Sequence, residues 1–185
     1  MRGFLSLRGI FYSLMTVLLL APLVLLAVYY AQAWPQASQQ LVTRAVGLSV
    51  KNFADSLAAD FPRAVEISGK SAAAAVVNHV VSNVSGVDDA ELHTTELAVN
   101  GTFHGEASYF MQNNSMAAWV SRLQNKSIVF GMNATILITN YSAVPYDAFH
   151  LLFNASLSVN ASNADYEINF SRSYQATAIV SIEGF

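Results

Sequence analysis

FHLLFNASLSVN, residues 149–160, sets Phe149, Leu151, Phe153, Ala155, Leu157 and Val159 against His150, Leu152, Asn154, Ser156, Ser158 and Asn160. Successive side chains of a strand point to opposite faces, so a period of two with one apolar set marks a half-buried strand. The same period lies on either side of it. Upstream, Ile128, Phe130, Met132, Ala134, Ile136 and Ile138 alternate with Val129, Gly131, Asn133, Thr135, Leu137 and Thr139. Downstream, Tyr166, Ile168, Phe170, Tyr174, Ala176, Ala178, Val180 and Ile182 alternate with Glu167, Asn169, Ser171, Ser173, Gln175, Thr177 and Ser181. The turn-rich residues 161–165 close the second and third runs into a hairpin, which predicts antiparallel order. An apolar sheet face needs a cover, and helices upstream can supply it. The expected fold class is α+β, with a three-stranded or larger antiparallel sheet packed on helices.

The upstream helices are legible from a different period. Phe53, Leu57, Phe61, Val65, Ser68, Ala72 and Val76 follow spacings of three and four, a stripe of apolar and small residues along one helix face. Residues 35–82 therefore read as one long helical stretch. Pro62 interrupts it, and because proline lacks a donor and crowds the preceding turn, a kink or a restart with Asp60 as N-cap is expected, the restart being favoured. Asp88 three residues before Glu91 has capping-box spacing and opens a short helix ending at Asn100-Gly101. Asp88, Asp89 and Glu91 are weighed as a metal cluster and read as capping. Ser115 caps a second short helix through Met116, Trp119, Val120 and Leu123, with Trp119 as a core anchor.

Residues 10–30 are nearly all apolar, and no charge occurs in residues 9–43. At about 1.5 Å per residue the run spans roughly 31 Å, the hydrocarbon thickness of a bilayer. Residues 10–34 are thus expected to form a transmembrane helix. Arg2 and Arg8 precede it and no charge follows until Arg44, so the positive-inside bias puts the N-terminus in the cytoplasm and the rest outside. Tyr12, Tyr29, Tyr30 and Trp34 stand where amphipathic rings favour the interface. Ala31-Gln32-Ala33 has the small-x-small pattern of a signal-peptidase site, but the apolar run exceeds the roughly 7 to 15 residues of a signal peptide, which favours retention.

Arg8-Gly9 directly before Ile10, Phe11 and a long apolar helix resembles the class III signal of type IV pilins and their archaeal relatives. The resemblance covers about the first 30 residues. It implies cleavage between Gly9 and Ile10 on the cytoplasmic side, loss of a leader of residues 1–9, and an apolar helix that anchors the subunit and then packs in a filament core. Leu14 departs from the bacterial pattern, which has glutamate at that mature position; archaeal members often lack it. Without processing, Arg8 is simply an inside-positive anchor.

Nine asparagines fit Asn-x-Ser/Thr: Asn83, Asn100, Asn113, Asn125, Asn133, Asn140, Asn154, Asn160 and Asn169. The Ser and Thr content from residue 83 onward would give about two such sequons by chance among its eleven asparagines, so nine is an excess that marks N-glycosylation outside the cytoplasm. A glycan must reach solvent. The strand reading places Asn133, Asn154, Asn160 and Asn169 on polar faces, as that requires.

The remaining composition narrows the functional classes. A net charge of −3 with scattered Lys and Arg offers no footprint for nucleic acid. The absence of cysteine removes disulfides, thiolate catalysis and Cys-ligated zinc, and in an extracytoplasmic domain favours a prokaryotic source. His79, His93, His104 and His150 form no metal-ligand spacing, and no nucleophile-elbow, phosphate-loop or dinucleotide pattern occurs, so no catalytic, cofactor or metal residues are expected. The expectation is a single-pass, glycosylated, pilin-like surface protein of archaeal type, with residues 83–185 as its glycosylated α+β region. The bilayer, glycans and like or unlike subunits packing through the N-terminal helix are its partners. A non-polymerising anchored binding or accessory subunit of a cell-envelope complex is the alternative.

Overall fold

The computed structural model describes residues 4–83, 86–163 and 168–183, with the side chains of residues 4–10, 33–38 and 83 outside that description. The chain divides into two compact units, Met1–Val46 and Gly47–Phe185. Helix α1 is assigned without a break over Phe4–Asn83.

In the first unit, Phe11–Gln32 is the one helical stretch among the described residues long and apolar enough to cross a membrane. Its side chains are exposed all round, from Phe11 and Tyr12 to Tyr29 and Tyr30. A helix apolar on every side has no stripe to turn toward a core, and a bilayer satisfies it. Thr16 Oγ1 donates to the Tyr12 carbonyl at 2.8 Å, so this hydroxyl is satisfied within the helix. The backbone at Gly9 and Ile10 is helical; the side chain of Ile10, like those of Trp34 and Pro35, lies outside the described residues.

The second unit has two layers. Its sheet is β3 (Asn133–Pro145), β4 (His150–Asn163) and β5 (Ile168–Ser181), antiparallel in the order β3-β4-β5. Before it come α2 (Ala90–Asn100), a small hairpin of β1 (Thr102–Phe103) and β2 (Glu106–Ala107), a 3-10 turn at Tyr109–Met111, and α3 (Met116–Val129). The striped part of α1 covers the inner sheet face. Phe53, Leu57, Phe61, Val65, Ser68 and Ala72 are buried, as are Phe153, Leu157 and Val159 of β4 opposite. Polar groups register the two layers: Ser68 Oγ and the Tyr141 hydroxyl lie 3.0 Å apart, and the Tyr174 hydroxyl donates to the Ala54 carbonyl at 3.3 Å. At Gly69 the layers approach so closely that a Cβ would sit 2.8 Å from Cδ2 of Phe153.

Four expectations need correction. The restart at Pro62 does not occur, because Phe61 and Val65 on either side are both buried and Pro62 itself is exposed, where water can serve the carbonyl it leaves without a donor. Asp60 is therefore inside the helix, where its Oδ2 accepts from Trp119 Nε1 at 3.0 Å while Trp119 stacks on Phe61. The first strand begins at Asn133 rather than Ile128: α3 runs to Val129, the chain turns through Gly131 at φ 70°, and Ile128, Val129 and Phe130 are exposed. The cap of α2 is Asp89, whose side chain accepts from Leu92 N, and not Asp88. Finally, β4 continues to Asn163, so residues 161–163 are strand rather than turn, and residues 164–167 lie outside the described residues. Ser115 does cap α3, accepting from Ala118 N, and Trp119 is buried as expected of a core anchor.

Candidate functional site

Two places concentrate chemistry: the outer face of the sheet and the junction of α2 with the β1–β2 hairpin.

Pairing registers define the outer face row by row. Asn133, Ser162 and Asn169 lie abreast, then Thr135, Asn160 and Ser171, then Leu137, Ser158 and Ser173. Asn140, Ser156 and Gln175 follow, and then Ser142, Asn154 and Thr177. No side chain in these rows is charged. An asparagine and a hydroxyl two residues on share a strand face, so all five sheet sequons present both of their groups outward. Asn140 owes its place to a bulge. The register shifts between Ile138 and Asn140, leaving Thr139 unpaired, so odd-numbered residues turn inward after it; Asn140 stays outside while Tyr141 and Ala143 enter the core.

Asn100, Asn113, Asn125, Asn133, Asn140, Asn160 and Asn169 are exposed, and Asn154 is half-buried with its Oδ1 accepting from Thr177 Oγ1 at 2.9 Å. The side chain of Asn83 lies outside the described residues. The two asparagines after residue 83 that do not begin a sequon have structural tasks instead. Asn114 Nδ2 donates to Ser71 Oγ at 3.1 Å, and buried Asn163 donates to the Gly131 carbonyl at 2.9 Å. At Asn125 the sequon is helical and its hydroxyl is buried: Ser127 is 0% exposed and donates to the Gln124 carbonyl.

The second place was not legible from spacing. His79 of α1, His93 of α2 and His104 of the hairpin gather around Phe103: the rings of His79 and His93 lie 4.2 and 4.9 Å from its centroid, and those of His93 and His104 lie 4.0 Å apart. The histidines read as separate in sequence thus form a cluster, apart from His150, which pairs with Asp147 at 2.8 Å. His104 and Gly105 have φ of 52° and 80°, the pattern of a type I′ turn, which makes the hairpin tight and brings His104 back toward α2. Glu96 ties the two elements together, its Oε1 accepting from Thr102 Oγ1 at 2.7 Å and from Gly105 N at 2.8 Å. These bonds, the Thr102 hydroxyl foremost, hold the Glu96 carboxyl below its ordinary range. Asp88 is held low by the amide of Asp89 and then by His93, whose Nε2 is 3.0 Å from its Oδ1. Both carboxylates are anionic at neutral pH.

No protein-family model, curated protein or solved structure matches this chain, so the reading of its function rests on these two places and on the apolar helix.

Proposed function

We propose that the chain is a membrane-anchored, N-glycosylated surface structural protein of pilin-like build, a filament subunit or minor pilin. In this reading Phe11–Gln32 sits in the bilayer before assembly and among like helices after it, and Gly47–Phe185 is displayed outside the cytoplasm. The observation that carries the proposal is the sheet's outer face, where five sequons point outward from rows without a charged side chain. Exposed strand edges are usually guarded by charge, above all lysine. β3 has none and β5 has Arg172 alone, whose guanidinium lies over the Tyr174 ring at 5.4 Å. Glycans on Asn133, Asn140 and Asn169 would do the guarding that charge does elsewhere. The glutamate that bacterial pilins use in assembly is replaced by Leu14, which fits the archaeal branch of the resemblance.

Glycopeptide mass spectrometry and N-terminal sequencing of the protein from its native membrane test the two halves of this reading. The expected results are glycans on Asn133, Asn140, Asn160 and Asn169 and a mature chain beginning at Ile10. Bare asparagines at all four sites would remove the glycoprotein reading. An intact Met1 or Arg2 would remove the pilin-type route and leave the non-polymerising anchored subunit. Asn125 reports the order of events, since a glycan there must be attached before α3 buries Ser127.

A further inference from the structure

His93 is the fixed point of the cluster described above. It is 5% exposed, and its Nδ1 is buried without a hydrogen-bond partner, facing Glu96 Oε2 at 3.5 Å. Its other nitrogen, Nε2, faces Asp88 Oδ1 at 3.0 Å. One ligand atom from each of Asp88, His93 and His104 lies within 4.8 Å of the others. We propose that Asp88, His93 and His104 bind a divalent transition-metal ion of the zinc class, with Glu96 orienting the His93 ring from behind.

Two imidazoles and one carboxylate, with a fourth position left to water, are a donor set that zinc accepts at about 2.0–2.2 Å. Ligands at that radius around a tetrahedral ion stand roughly 3.4 Å apart. The Asp88 and His93 atoms already lie near that spacing. His104 is the arm that closes: its side chain is exposed on a two-residue turn, whereas His93 is held by burial. The second carboxylate gives the cluster its direction. A metal-bound imidazole keeps its other nitrogen protonated, and an acceptor behind it fixes the tautomer and raises ligand basicity. Glu96 is in that place, one helical turn from His93, and is itself anchored by Thr102 and Gly105. A simple Asp88–His93 ion pair would need nothing from His104.

The ion would join the start of α2 to the β1–β2 hairpin, closing the segment between Asp88 and His104. In a chain with no cysteine, such a link takes the place of the disulfides that often brace small exported domains.

The test uses the full chain in detergent micelles, free of affinity tags, titrated with Zn²⁺ by calorimetry and with Co²⁺ by visible absorption, alongside thermal melts. One ion per chain is expected, with a higher melting temperature in Zn²⁺ and intense tetrahedral-type Co²⁺ bands. His104→Asn, which suits a positive φ, and Asp88→Asn each change an exposed side chain, so their metal-free melting temperatures should match the parent. Each should weaken binding by at least about tenfold. His150→Ala should not. No saturable binding below about 1 mM, or unchanged affinity in either cluster variant, would overturn the proposal.

Discussion

The two faces of the sheet are made by the same strands and differ in almost every other respect. On the inner face of β4, Phe153, Leu157 and Val159 are fully buried under α1, and the tyrosines at 141 and 174 reach across to helix atoms. On the outer face the same strand carries Asn154, Ser156, Ser158, Asn160 and Ser162, all exposed or half-buried. The inner face therefore carries the stability of this unit and the outer face is free to carry chemistry. Apolar burial is worth about 25 cal/mol per Å², whereas an exposed polar side chain contributes little to folding. Asparagine shows the division in one residue type: Asn163 is buried and structural, while Asn133, Asn160 and Asn169 are exposed and begin sequons.

Substitution in β4 should expose that asymmetry most strongly. Leu157→Ala should lower unfolding free energy by about 2–5 kcal/mol in chemical denaturation, because it leaves a cavity against α1. Ser158→Ala, its neighbour on the other face, should stay within about 0.5 kcal/mol. Equal costs would mean that a second layer covers the outer face.

A titration sharpens the comparison next, because the inner face holds an ionisable group while the outer rows hold none. Burial pushes the Tyr141 hydroxyl up to about 12, partly offset by its bond to Ser68. Below pH 10 the phenol is protonated whether the chain is folded or not, so its stabilising effect is fully present. Above pH 10 only the unfolded chain releases the proton, so stability should fall until the folded group titrates near 12. A two-unit gap corresponds to roughly 2–3 kcal/mol. Tyr141→Phe should lose about 1 kcal/mol at neutral pH with the Ser68 bond, and then decline less than the parent across the alkaline window. Parallel alkaline curves for parent and variant would contradict the burial of this hydroxyl.

The smallest of the three effects probes the closest contact between layers. Gly69→Ala would place a methyl 2.8 Å from the Phe153 ring, and overpacking of this kind costs about 1–3 kcal/mol. Phe153→Leu in the same chain should recover part of that loss, so the double variant should melt above the sum of the single losses. Additive losses would show that Gly69 is required for another reason.

The tight helix-to-sheet packing at Gly69 has no sequence signal, yet the elements it joins were largely legible. The period of two found all three strands and assigned Asn133, Asn154, Asn160 and Asn169 to the outer face, because alternation is a local consequence of strand geometry. It failed at Ile128, where an apolar run at a helix end mimics a strand start. Carried past Thr139, it would put Asn140 inside with Ile136 and Tyr141 outside, the reverse of what is found, since the bulge at Thr139 is set by pairing with β4. Pro62 misled for the converse reason: proline's local cost was outweighed by burial of Phe61 and Val65 on the same helix.

By itself, the sequence determined the apolar helix, the α+β class, the capping of α3 by Ser115 and the excess of sequons, all of which depend on residues near one another in the chain. The histidine cluster was decided by tertiary structure alone. His79, His93 and His104 lie on a long helix, a short helix and a hairpin turn, and no periodicity relates those positions. His93 and His104 meet because Glu96 binds the hairpin through Thr102 and Gly105 and a positive φ at His104 folds that turn back onto α2, and His79 joins them through Phe103. Local patterns encode which way a side chain faces along its own element, and only the packing of elements determines which side chains it will face.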